Sequence, residues 1–132
     1  MSEIRATTIS NAAGTGPITM TGQYAAKAWV NFNGKDTVAI RDGGNISSIT
    51  DNGSGNYTVN FTAAMVDANY AVTSSGMKNS SSNSAFLFYG APYGGAVPTT
   101  NAVCIWTGTG HISGTTAGVA QDETYVQVAI FR

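Results

Sequence analysis

Charge is scarce in this chain. Asp, Glu, Lys and Arg make up 10% of its 132 residues, against about a quarter in an average soluble domain. The net charge of −1 gives no long-range attraction to nucleic acid or anionic lipid, which argues against both as partners. Cysteine is limited to Cys104, so no intrachain disulfide can form. Its place in the hydrophobic run AVCIW at 102–106 predicts a buried structural thiol, with no cation near it in sequence to make it reactive. Histidine is limited to His111, and one Cys with one His cannot supply the usual N/S ligand set of zinc within a protomer. No apolar run approaches the roughly 18 residues of a membrane-spanning helix, which predicts no membrane insertion. The opening MSEIR has no apolar h-region, which predicts synthesis in a cytoplasm without signal-peptide-dependent secretion.

What is present is apolar content with a period of two. Hydrophobic residues reach 42%, too many for a disordered chain, and the length suits one domain. In 26–34 (AKAWVNFNG) Ala28, Val30 and Phe32 share one face while Trp29 and Asn31 share the other, the pattern of a half-buried strand. Asn33-Gly34 then reads as a type I′ turn with positive φ at both positions, and 37–41 as the partner strand. Asp42 to Asn45 reads as a further turn. In 47–61 (SSITDNGSGNYTVNF) a hairpin loop at 51–56 precedes alternating Tyr57, Val59 and Phe61. Further strands are expected at 69–74, 85–89, 103–107 and 124–131, the last apolar on both faces and therefore central in a sheet or at a subunit contact. The predicted fold is all-β, an antiparallel β-sandwich of about eight strands. Residues 1–24 are small, polar and glycine-containing, with Pro17 against any helix. They are expected to form an extended N-terminal arm for attachment or intersubunit pairing, ahead of a head domain at 25–132.

Catalytic chemistry finds little support. His111 lies in a Gly/Thr/Ser stretch that matches no nucleophile-elbow pattern. Asp122-Glu123 reads as a solvated charge pair before the last strand, and no other acids are paired by spacing. Asp51-Asn-Gly-Ser-Gly lacks the acidic spacing of a calcium loop. The GTGHISG run at 108–114 has no following helix to cradle a phosphate. Sequons at Asn45, Asn56, Asn60 and Asn79 follow from Asn/Ser/Thr richness. Neither an enzyme nor a cofactor or metal is expected. Trp29, Trp106, Tyr89, Tyr93 and His111 are candidates for stacking and hydrogen bonding with sugar, whereas Phe32, Phe61, Phe86 and Phe88 read as packing.

The wording of 25–72 and of the terminal VQVAIFR (126–132) resembles the C-terminal head domains of tail-fibre proteins of marine and cyanobacterial bacteriophages. The ISNAAGTG stretch at 9–16 resembles the segment that often opens such proteins. The resemblance implies a homotrimeric virion structural protein, assembled in the host cytoplasm, that recognises a host glycan or other surface receptor through loops. Other virion proteins would bind through the arm. Candidate loop contacts on this reading are Asn79, Asn83, Tyr93, Thr109, His111 and Thr115. The alternatives are a capsid or tail decoration protein without ligand, or a small trimeric lectin-like module, since the strand pattern is also similar to H-type lectin domains.

Overall fold

Alternation decides which side chains go inside. In β1 (Ala26–Asn33) Ala28, Val30 and Phe32 are buried; in β4 (Asn56–Phe61) it is Tyr57, Val59 and Phe61; in β9 (Tyr125–Phe131) it is Val126, Val128 and Ile130. Successive strand residues point to opposite faces, so each segment carries one apolar face that must be covered. The computed structural model describes residues 24–77, 85–89, 97–110 and 119–132. The arm expected at 1–24 lies, up to residue 23, outside the described residues.

The remaining strands are β2 (Ala39–Gly44), β3 (Ile46–Asp51), β5 (Ala71–Met77), β6 (Ala85–Tyr89), β7 (Ala102–Gly110) and β8 (Val119–Ala120). One sheet has the order β2-β1-β9-β5 and the other β3-β4-β7-β6, with β8 paired to the far part of β7. Every pairing is antiparallel, and the described residues contain no helix. The two apolar faces meet in a single core. Phe32 from one sheet and Tyr57 from the other touch edge to face, with centroids 5.2 Å apart and planes at 74°. The all-β antiparallel sandwich is therefore the fold of this chain. Strand β9 is central, between β1 and β5; Val126, Val128 and Ile130 face the core, while Tyr125 and Gln127 on its other face are exposed.

Three local expectations need correction. Asn33-Gly34 is not a type I′ turn, because neither residue has positive φ; Asp36 does, at 59°. Strand β1 runs through Asn33, and Gly34 is kept small by the Tyr57 hydroxyl, which lies 2.6 Å from where a Cβ would stand. Asp42 to Gly44 is strand rather than turn. Gly108 to Gly110 belongs to β7 and is strand rather than loop; the rest of the expected loop, from 111 to 118, lies outside the described residues.

The run from β2 into β3 is almost one strand that changes sheets at Asn45, where φ is 58°. Strands that turn a sandwich corner this way need a bend, and Asn tolerates the left-handed conformation better than other side chains. Its side chain then ties the corner. The amide Nδ2 donates to Lys27 O at 3.2 Å and Ala63 O at 3.1 Å, and Oδ1 accepts from Ala63 N at 2.7 Å. The amide of this sequon is thus engaged within the fold. Asn45→Ala is expected to cost about 4 kcal/mol, roughly 1 for each of the three hydrogen bonds lost plus about 1 for the backbone. Asn45→Gly should recover about 1 kcal/mol of that, because it relieves only the backbone. Urea unfolding of both variants measures the difference, and equal midpoints would show that φ contributes nothing at this corner.

Candidate functional site

Of the sequence-predicted contacts, Asn79, Asn83, Tyr93, His111 and Thr115 lie outside the described residues. Thr109 is in β7, opposite Phe86 of β6 and Val119 of β8, and so is a strand residue rather than a loop residue. Among the stacking candidates Trp106 is buried, at 7% exposure, while Trp29 is 42% exposed. Phe32 and Phe61 are core, as expected. Cys104 is half-buried rather than buried. It sits on the outward register of β7, its Sγ 3.3 Å from Thr58 Oγ1, because Val103 and Ile105 take the inward positions.

The acid pair is placed differently from expectation. Glu123 is buried, at 2% exposure. Asp122 Oδ1 accepts from the Tyr57 hydroxyl at 2.7 Å and from Gly55 N at 2.7 Å. The single Tyr57 proton is shared with Gly34 O at 2.8 Å. Around them Thr107 N donates to Gly55 O at 2.7 Å, Gln121 N to Thr107 O at 3.0 Å, and Gly34 N to Glu123 O at 2.9 Å. Burial, and then the hydrogen bond and charge of Asp122, push the Tyr57 phenol well above its ordinary value. This network sews the β8–β9 link to the ends of β1, β4 and β7. With its acceptor oxygen committed to the fold, Asp122 serves as a clamp. Among the described residues, no three His, Cys, Asp or Glu side chains gather as metal ligands would.

An open trough lies instead on the outer face of the first sheet. Pairing aligns Trp29 with Ala129 and Ala129 with Thr73; one row on, Asn31 aligns with Gln127 and Gln127 with Ser75. Trp29, Ala129, Thr73, Ser75 and Gln127 line a space of about 300 Å³. Ser75 Oγ donates to Gln127 Oε1 at 2.7 Å, which fixes that amide and leaves its NH₂ as a donor. The indole rests over Gly44 on β2: a Cβ there would meet Trp29 Nε1 at 2.6 Å and Cδ1 at 3.0 Å. The other exposed ring of this face, Tyr125, carries the Arg41 guanidinium 4.2 Å from its centroid, a cation–π contact.

Sequence reasoning named Trp29 but not its companions. Alternation put Trp29 on the face of its strand opposite Ala28, Val30 and Phe32 but did not choose an outward face for the last strand; only the β1–β9–β5 order brings Trp29 together with Ala129, Thr73, Ser75 and Gln127.

Three other apolar residues stand exposed, Tyr24 at 83%, Val66 at 81% and Val97 at 74%, and Val66 lies beside Lys27 and Arg132 where β1 begins. Arg132 forms an ion pair there with Asp67, donating through Nε at 2.8 Å. That partner first, and the Asn69 backbone second, hold Asp67 below the usual carboxylate range. Set against protein-family profiles, curated proteins and solved structures, the chain matches none of them.

Proposed function

We propose that this chain is a non-enzymatic surface module of a bacteriophage virion, of the tail-fibre or tail-tip kind, assembled as a homotrimer and meeting a host glycan or other receptor. The observation that carries it is the outer face of the first sheet, where an exposed indole stands among hydroxyl and amide side chains on a rigid framework. Such a face suits recognition of neutral, hydroxyl-rich surfaces. The phage-like wording of 25–72 and 126–132 supports the same reading, and it falls largely on β1 to β4 and β9, the framework strands. The exposed apolar side chains of Tyr24, Val66 and Val97 suit attachment to neighbouring subunits or virion proteins, which would cover them.

Light scattering on the purified protein is expected to give three times the 13.6 kDa chain mass, stable on dilution. A monomer would overturn the trimeric fibre-type assembly. Fluorescently labelled protein is expected to adsorb to intact bacterial cells carrying the receptor, and adsorption to none of a broad host panel would overturn the recognition role.

A further inference from the structure

We propose that the trough beside Trp29 is a subsite for one neutral pyranose ring, stacked by its C–H face on the indole and held at its rim by Gln127, Thr73 and Ser75. The inference rests on the surface-recognition reading and gives it a ligand class and a place, on a sheet face rather than in loops. Four observations converge on it.

First, the indole is presented rather than merely left over. Gly44 lets the pyrrole edge settle onto β2, and any side chain at that position would displace it. The ring's orientation is therefore set by backbone, before any ligand arrives. Second, among the aromatic rings exposed on this face, Tyr125 is already covered by Arg41. Third, the rim carries donors and acceptors at strand positions. Gln127 has an amide NH₂ beyond its bond from Ser75. A sugar ring offers the matching chemistry, with apolar C–H bonds on its face and hydroxyls around its edge.

Fourth, charge and size select the class. No charged side chain lines the trough, and the charges placed on the same face, Asp42 in register with Asn31 and Arg41 over Tyr125, are of opposite sign, so nothing there favours a uronic or sialic acid over a neutral sugar. The space of about 300 Å³ stands at the small end of ligand sites, which suits a monosaccharide unit of a longer glycan.

The test uses the full-length protein with methyl β-glucopyranoside, methyl β-galactopyranoside, N-acetylglucosamine and glucuronate as probes. The chain has two tryptophans, so its ¹H–¹⁵N spectrum has two indole signals, and Trp29→Phe assigns them. At least one neutral sugar is expected to move the Trp29 signal saturably, and glucuronate to leave it in place. On a glycan array, Trp29→Ala is expected to weaken binding to neutral glycans by roughly tenfold. Gly44→Ala is expected to weaken it as well while keeping the indole in the protein. Both variants should retain the wild-type circular dichroism and mass.

Neutral sugars that leave the Trp29 signal unmoved would overturn the subsite. So would undiminished array binding by Trp29→Ala, in which case the recognition reading survives with its contacts elsewhere. A changed oligomeric mass in Trp29→Ala would show that a second copy of the chain occupies this face. Absence of any glycan or cell binding by the wild type would remove both the subsite and the reading it rests on.

Discussion

Gly55→Ala is expected to yield no folded protein at 25 °C. Gly55 has φ of +65°, a conformation costing an L side chain about 1–2 kcal/mol. The larger obstacle is space. A Cβ would lie 2.1 Å from Thr107 O, 2.7 Å from Gln121 N and 3.0 Å from Gln121 O. All three atoms are backbone, so no rotamer change relieves the overlap. Separation of the strands would also break the bond from Thr107 N to Gly55 O and the bond from Gly55 N to Asp122. The combined loss exceeds about 4 kcal/mol, in the range reserved for the most damaging single substitutions, against a typical total stability of about 5–15 kcal/mol. Gly53 is the control. It too has positive φ, +112°, but nothing lies within 4 Å of its Cβ position. Gly53→Ala should fold and lose about 1–3 kcal/mol through backbone strain alone. Soluble yield and urea midpoints separate the two, and similar behaviour would show that the packing at Gly55 is not as close as drawn.

Tyr57 is the second site of large effect. Its ring is fully buried against Phe32, and its hydroxyl serves Asp122 and Gly34. Tyr57→Ala should cost about 3–5 kcal/mol, the range for removing a core aromatic ring. Tyr57→Phe keeps the ring and removes the donor, leaving Asp122 and Gly34 O short of a partner, for about 1–3 kcal/mol. The phenylalanine variant also has a signature in pH. In the unfolded chain Tyr57 loses its proton near the ordinary value of 10.0, whereas in the folded protein burial, and then Asp122, hold the proton to higher pH. Above that ordinary value the unfolded state binds fewer protons, so stability is fully present below about pH 10 and declines as pH rises beyond it. Tyr57→Phe should be less stable at neutral pH yet show a shallower alkaline decline. Some slope remains, because burial also raises Tyr70. Urea unfolding between about pH 8 and about pH 11 measures this; an unchanged slope in the variant would remove Tyr57 as the source.

What was legible in the sequence follows from how local each signal is. Side-chain alternation needs only neighbouring residues, so the apolar sets of β1 and β4 could be read directly, and with them the all-β class, whereas β9 is apolar on both faces and its inward set was not legible. Strand ends were less legible. Asn33-Gly34 has the composition of a tight turn, but Tyr57, distant in sequence, determines what Gly34 is for. Asn45 looked like the end of a turn and is a corner between sheets, because its partners Lys27 and Ala63 come together only after β1 and β4 are placed. Asp122-Glu123 looked solvated for the same reason, since nothing nearby in sequence announces that Gly55 and Tyr57 will close over Asp122. The trough needed the order β1-β9-β5, and strand order is not written in any one segment.

That order has a consequence for how the protein is made. Strand β9 follows both of its partners in the chain and pairs on one side with β1 and on the other with β5, so that Phe131 is in register with both Ala26 and Ala71. Hairpins β1–β2 and β3–β4 can form while synthesis continues, but the first sheet stays split until its middle member arrives. Val30 and Phe32 stay without a neighbour on one flank until β9 has been made, an interval in which long-range strand pairing leaves nascent chains vulnerable to association. Low charge does little to deter such contacts. Strand β9 thus acts as a keystone, and without it β1 and β5 would each show the unpaired edge that β9 covers in the folded protein.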